Sequence, residues 1–193
     1  MPPGAISDFS RLGGRTISGA DDFWKSFDAP RSNYALLRYS FFFGFFAYAG
    51  YTFSYAVTGR VWNYWPFVQT TLTVQDSMMR ALMQWIFFGI FPFLASLLLQ
   101  LITRRQNDEN DWNLNVLIVT YSLTPVPLAA LFVGIPFVHR ITALLAVSTF
   151  LYLTYFGYRT YAGRTILSAA AHTFCVALLF VLIRQVFVYA IGF

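Results

Sequence analysis

The stretch LMQWIFFGIFPFLASLLLQLI, residues 82–102, decides the class of this protein because its 21 consecutive positions carry no charge. A helix of about 20 apolar residues crosses the hydrocarbon core of a bilayer, which is about 30 Å thick. Inside the hydrocarbon core a helix satisfies all its backbone polar groups within one segment. The stretch also lacks the alternation of apolar and polar residues that a strand of a membrane barrel needs. We therefore predict that this stretch is a membrane-spanning helix.

Four further apolar runs satisfy the same criterion. The five predicted spans lie at residues 39–57, 82–102, 114–138, 141–158 and 166–192. Over the whole chain 58% of residues are hydrophobic and 11% are charged, whereas a soluble domain carries about 25% charged residues because its surface faces water. The sequence therefore predicts an all-α fold: a polytopic integral membrane protein with a bundle of five transmembrane helices.

The residues that precede the first span are of a different kind. Residues 1–38 are polar, contain four aspartates and lack the apolar run of a signal peptide. Phe23, Trp24 and Phe27 place aromatic side chains on one face of a short helix, which is typical of a helix that lies on a membrane surface. We expect a cytoplasmic N-terminal segment with an interfacial amphipathic helix, followed by a five-helix transmembrane domain over residues 39–193.

The positions of the basic residues predict the orientation of the bundle. Nine of the thirteen lysines and arginines lie on the side of the N-terminal segment, and only Arg60, Arg80 and Arg140 lie on the opposite side. Cytoplasmic loops carry the excess of lysine and arginine. We expect a multi-pass protein of the cell inner (plasma) membrane with the N-terminus in the cytoplasm and the C-terminus outside.

The third span contains a run of hydroxyl residues and prolines, TYSLTPVP, at residues 120–127. Two prolines one residue apart remove two backbone donors and clash with the preceding turn, which predicts a kinked third helix. A kink that helps the helices to pack and a broken helix that lines a solute or ion site both account for the run. The candidate polar residues here are Thr120, Tyr121, Ser122, Thr124, Pro125 and Pro127.

The last span supplies two more candidates, His172 and Arg184. His172 and Cys175 are three residues apart on one helix face and could supply two ligands to a metal, or His172 could ligate a haem, but a structural zinc site needs four ligands. We therefore expect a hydrogen-bonded buried histidine and no metal or other cofactor. Arg184 can extend its head group to the membrane surface, or it can pair with a polar group or a lipid phosphate.

The motifs of enzymes are missing from the sequence. We find no nucleophile elbow, no glycine-rich phosphate loop and no paired-histidine zinc motif, and we expect no enzymatic activity. The predicted spans contain no aspartate or glutamate, the residues that proton-coupled transporters commonly use as relays. The basic residues stand singly or in pairs at the ends of apolar runs, which argues against nucleic acid as a partner. Two classes of function remain, an interaction or scaffold module and a small transporter or channel for a solute, an ion or a lipid.

The third and fourth spans contain a set of tyrosine, serine, proline and glycine positions: Tyr121, Ser122, Pro125, Pro136, Tyr152, Tyr155 and Gly157. In these positions they resemble the Yip family, the Ypt/Rab-interacting membrane proteins, and in particular its bacterial inner-membrane branch. The resemblance covers residues 78–193 and implies five spans, a cytoplasmic N-terminus and an external C-terminus. It also implies a non-catalytic scaffold or accessory subunit in membrane organisation, whose partners are the lipid bilayer and other membrane proteins or further copies of the chain.

Overall fold

The computed structural model describes residues 19–27, 32–58, 61–62, 69–70, 74–103 and 109–190. This part of the chain is helical apart from one antiparallel pair of two-residue strands. The elements are α1 (Ala20–Lys25), α2 (Asn33–Thr58), β1 (Val61–Trp62), β2 (Gln69–Thr70), α3 (Val74–Thr103), α4 (Glu109–Leu123), α5 (Pro125–Ala129), a 3₁₀ turn (Ala130–Phe132), α6 (Pro136–Phe156), a π-helical turn (Gly157–Tyr161) and α7 (Ile166–Ala190).

Four helical stretches are long and apolar enough to cross a membrane by length and composition. They are Val74–Ile102, Trp112–Phe132, Phe137–Tyr161 and Ile166–Phe187. The prediction of an all-α fold with several membrane-spanning helices is confirmed at this level. The first predicted span lies within α2, which does not reach the same hydropathy because five of its 26 residues are tyrosines. The first 18 residues of the predicted cytoplasmic segment, its positions 28–31 and the last two residues of the fifth predicted span lie outside the described residues.

The regular hydrogen bonding of the third stretch is interrupted at Thr124, between α4 and α5. Pro125 and Pro127 have no N–H group, so neither can donate to the carbonyl four residues earlier. The N–H of Thr124 donates instead to the carbonyl of Tyr121 at 3.4 Å, which is the tighter spacing of a 3₁₀ turn. Thr124 itself keeps helical dihedral angles, with φ −45° and ψ −42°.

α2 packs along α3 on one side and against the third stretch on the other. Its contact with the third stretch is a close approach of backbones. A Cβ atom on Gly50 would lie 2.2 Å from the carbonyl oxygen of Ala130, and one on Gly134 would lie 3.1 Å from Ser54 Oγ. Small residues at such positions let helices in lipid approach closely, and here they fix the register of α2 against the third stretch.

The third stretch lies at the centre of the bundle, in contact with α2, α3 and α6. α7 packs against α3 and α6, and the ring centroid of its Phe180 lies 5.2 Å from that of Phe91 and 5.8 Å from that of Phe150. The opposite face of α7 is exposed on the outside of the protein, as is much of α6. This arrangement places the polar run of the third stretch among helices.

Candidate functional site

The polar run of the third stretch packs against the N-terminal half of α2. The ring of Tyr121 lies between those of Tyr39 and Phe27, with centroid distances of 4.4 Å and 4.5 Å. The hydroxyl of Tyr39 is hydrogen-bonded to Thr124 Oγ1 at 3.1 Å. Tyr39, Tyr121 and Thr124 are all buried, so α2 covers this part of the predicted site.

A small cavity of about 10 Å³ lies between α2, α3 and the third stretch. Its wall includes Thr120, Thr124 and Pro127 of the predicted site, together with Tyr39 and Ser40 of α2. The other five predicted residues do not line it: Tyr121, Ser122, Pro125, His172 and Arg184. Drug-sized ligands occupy pockets of about 300–1,000 Å³, so this cavity is far too small for an organic solute.

Two hydroxyl groups of the run, on Thr120 and Ser122, have no hydrogen-bond partner among the described protein atoms. Their residues are 3% and 0% exposed. A buried hydroxyl that loses its partners costs about 1–3 kcal/mol, and membrane interiors supply no bulk water to offset this. These groups are therefore the chemically unusual part of the predicted site.

The aromatic face of α1 is buried in the protein, although we expected it to lie against the bilayer surface. Trp24 is 1% exposed, and its Nε1–H donates to the carbonyl oxygen of Leu153 at 2.9 Å. The indole fits because Gly157 has no side chain: a Cβ there would lie 3.1 Å from Trp24 and 2.7 Å from Ile118. A large ring whose N–H group is hydrogen-bonded is stable inside a protein. The π-helical turn that begins at Gly157 leaves the space that the indole occupies.

The polar edge of α1 is held to the same π-helical turn. The carboxylate of Asp21 accepts hydrogen bonds from the ammonium group of Lys25 and from the hydroxyl of Thr160. The Lys25 bond first, and then the Thr160 bond, lower the pKa of the Asp21 carboxyl below its ordinary value. The same carboxylate raises the pKa of Lys25. α1 is thus attached by an indole on its buried side and by a carboxylate on its outer side.

His172 lies on α7 away from the polar run. Its Nδ1–H donates to the carbonyl oxygen of Ser168 at 2.7 Å, and its ring lies 4.9 Å from that of Tyr158. The residue is half-buried, as is Cys175. No group of three or more histidine, cysteine, aspartate or glutamate residues that could hold a metal ion occurs among the described residues. The geometry therefore gives His172 a local hydrogen bond within its own helix.

Arg184, also half-buried, lies twelve residues beyond His172 on α7, which is about 18 Å along the helix axis. The predicted residues thus fall into separate places: the run from Thr120 to Pro127 beside α2, His172 beside Tyr158, and Arg184 further along α7. Sequence reasoning missed Tyr39 and Ser40 as polar partners of the run. Their only signal was a tyrosine and a serine at the start of an otherwise phenylalanine-rich span.

Comparison of the chain with protein-family models, with curated proteins and with solved structures gives no match. The functional argument therefore rests on the geometry of the chain's own residues. That geometry brings together hydroxyl groups, aromatic rings and close backbone contacts. Among the residues that the structure describes, it brings together no group of three or more histidine, cysteine, aspartate or glutamate residues that could hold a metal ion.

Proposed function

We propose that this chain is a multi-pass inner-membrane protein that acts as a non-catalytic scaffold or accessory subunit in membrane organisation. The observation that carries the proposal is the packing of the polar run: its side chains contact α2 and Phe27, which follows α1, and the cavity beside them measures about 10 Å³. The packing of the described polar residues favours a scaffold over a transporter, because these residues hold together the helices of the bundle. Its outer surface is then the part available to partners.

That outer surface is formed largely by α6 and α7. Leu144 on α6 is 70% exposed, and Phe174 on α7 is 69% exposed. Both belong to apolar faces that contact either lipid tails or the apolar helices of a partner. Helix association in lipid depends on packing and on a few hydrogen bonds, so an apolar helix face with little internal contact suits a scaffold or an accessory subunit.

Five spans, with a bend at the prolines of the third, are part of the proposal. α2 has 26 residues, so it is about 39 Å long and exceeds the 30 Å or so of a hydrocarbon core. It packs along α3, and Phe53 presents 66% of its surface outward. With α2 as a span, the excess of basic residues places the N-terminus in the cytoplasm and the C-terminus outside.

We base the proposed membership of the Yip family on the sequence resemblance. Two of the residues that carry the resemblance have a packing role beside α1: Tyr121 contacts the ring of Phe27, and Gly157 makes room for Trp24. A Yip-like member would use this core to hold its helices and its outer faces to bind lipid and other membrane proteins.

Reporter fusions test the span count and the orientation together. Five spans put the two termini on opposite sides of the membrane, whereas four put them on the same side. We expect an alkaline phosphatase fused after Phe193 to be active outside the cytoplasm, and a green fluorescent protein fused before Met1 to fluoresce inside it. Fluorescence of a C-terminal fusion in the cytoplasm would contradict the five-span arrangement.

Site-specific photo-crosslinking in native membranes tests the scaffold. A photoreactive residue at Phe174 samples α7, and one at Leu144 samples α6 at the same exposure; Val176, which is fully buried, provides the control. We expect a protein adduct of defined mass and high yield from one of the two outer positions and none from the buried one. A different result would contradict the scaffold and favour a small transporter or channel. That result is lipid adducts alone at both outer positions, together with flux of a solute, an ion or a lipid in liposomes that contain the purified chain.

A further inference from the structure

The small cavity beside the proline run has more polar groups on its wall than its size suggests. Four hydroxyl-bearing residues line it: Tyr39 and Ser40 from α2, and Thr120 and Thr124 from the third stretch. Its other walls are apolar, and it has no charged residue. Tyr39 and Thr124 are hydrogen-bonded to each other. The hydroxyls of Ser40 and Thr120 have no partner among the described protein atoms, and the two residues are 5% and 3% exposed.

The prolines add a further acceptor near this place. Leu123 lines the cavity, and the residue four positions later, which would normally donate to its carbonyl, is Pro127. A freed carbonyl at membrane depth is satisfied by a hydroxyl group, by a neighbouring helix or by an ordered water molecule. The cavity therefore lies beside a residue whose carbonyl has lost its usual helical donor.

We propose that an ordered water molecule occupies this cavity and joins α2 to the third stretch through the hydroxyls of Ser40 and Thr120. Buried water needs two to four polar partners and a space of at least about 10–15 Å³. The wall offers that number of partners, and the volume of about 10 Å³ lies at the lower limit. The wall has no carboxylate, so a neutral molecule fits it better than a cation.

The proposal fixes the sign of one substitution. If the cavity holds no water, Thr120 buries a hydroxyl without a partner, and its replacement by the isosteric valine stabilises the protein. If water is bound, the same replacement removes a hydrogen bond and leaves the water with a missing partner. We then expect Thr120→Val to lower the folding equilibrium constant about fivefold. Thr120→Ser keeps the hydroxyl, and we expect its folding equilibrium constant to stay closer to that of the parent.

The experiment uses the full chain in bicelles and measures reversible unfolding of the parent, Thr120→Val and Thr120→Ser. Thr154→Val is the matched control, because Thr154 is fully buried but donates to the carbonyl of Phe150 at 2.7 Å within its own helix. We expect this control to stay within about twofold of the parent.

An experimental structure at a resolution that shows water completes the test. We expect density within hydrogen-bonding distance of both Ser40 Oγ and Thr120 Oγ1, and its loss in the Ser40→Ala/Thr120→Val double variant. A cavity without density, or a Thr120→Val variant as stable as the parent or more stable, overturns the proposal. Neither result depends on whether the chain is a scaffold or a transporter.

Discussion

The third and the last membrane stretches, Trp112–Phe132 and Ile166–Phe187, are close in length but differ in where they lie. Over 18 consecutive residues of each stretch, 72% of the residues are buried in the first and 22% in the second. Their mean hydropathies of 1.6 and 2.4 run in the opposite order, so the more apolar helix is the more exposed one. Lipid tails are as apolar as leucine, and there is little to gain from hiding apolar side chains from them. Polar groups are costly in lipid, and they determine which helix is central.

The stretch Phe137–Tyr161 shows the limit of this rule. Its mean hydropathy is 1.4, the lowest of the four, yet only 33% of it is buried. Its charged residues, Arg140 and Arg159, are exposed and lie near its two ends, where a side chain reaches the membrane surface. The third stretch differs in that three hydroxyl residues lie within five positions and are all buried, namely Thr120, Ser122 and Thr124. In the middle of Phe137–Tyr161, Ser148 is exposed and Thr149 donates to the carbonyl of Leu145 in its own helix. The clustering of polar groups therefore matters as much as the average polarity.

The largest effect is expected where α1 packs against α6 and the π-helical turn. Trp24→Ala removes a fully buried indole and the hydrogen bond to Leu153, and we expect it to weaken the docking of α1 by about 3–5 kcal/mol. Hydrogen exchange of the α1 amides measures this directly. Trp24→Phe keeps a ring but loses the N–H donor, and we expect a loss of about 1 kcal/mol. Unchanged exchange of α1 in Trp24→Ala would show that the segment is not held by its indole.

A pair of identical substitutions tests the comparison itself. Leu123 in the third stretch is 3% exposed, and Leu178 in the last is 48% exposed. We expect Leu123→Ala to lower the free energy of unfolding by about 3 kcal/mol, because it leaves a space among packed helices. We expect Leu178→Ala to change it by less than about 0.5 kcal/mol. If both variants lose the same free energy of unfolding in bicelles, then Leu178 on α7 is packed as tightly as Leu123 in the central helix.

The close approach of α2 to the third stretch gives a smaller effect. Gly50→Ala places a methyl group 2.2 Å from a backbone oxygen, which cannot rotate away, so we expect a net loss of about 2 kcal/mol. Gly134→Ala meets the side chain of Ser54 at 3.1 Å, which can turn, and we expect a loss below about 1 kcal/mol. If both variants are as stable as the parent in the same unfolding assay, then α2 does not pack against the third stretch in this register.

The sequence predicts the four apolar stretches well, because uncharged runs of this length have one stable solution in lipid. It also indicates the interruption at Thr124, since the missing N–H groups of Pro125 and Pro127 are visible in the letters. It does not predict the place of α1. Phe23, Trp24 and Phe27 form the same apolar face whether a bilayer or a protein covers it, and only the structure shows the partner.

The polar cavity is likewise beyond sequence reasoning. The cavity depends on the register of α2 against the third stretch. That register is determined by the contact of Gly50 with Ala130, about three helical turns along α2 from Ser40. A single sequence lists Ser40 and Thr120 but gives no sign that they face one another. His172 and Arg184 were singled out because polar residues in a span suggest function, and the structure places them on the exposed helix, apart from the hydroxyl run.

The smallest effect concerns pH and the outer edge of α1. Because its pKa is lowered on folding, Asp21 stabilises the docked state above its unfolded value, near 3.8, and this contribution is lost as the pH falls through the folded value. The raised pKa of Lys25 acts in the opposite direction: its contribution is complete below its unfolded value of 10.5 and is lost as the pH rises through the folded value. Between these limits the pair contributes its full stabilisation, and this contribution to the docking of α1 does not change with pH. We expect α1 amides to exchange faster in the parent below about pH 4, and Asp21→Asn to lose this acid dependence while Trp24 keeps most of the docking. A parent whose α1 exchanges with the same protection at pH 3 and pH 7, after correction for intrinsic rates, would show that the carboxylate does not stabilise the docked state and that the indole alone joins α1 to α6.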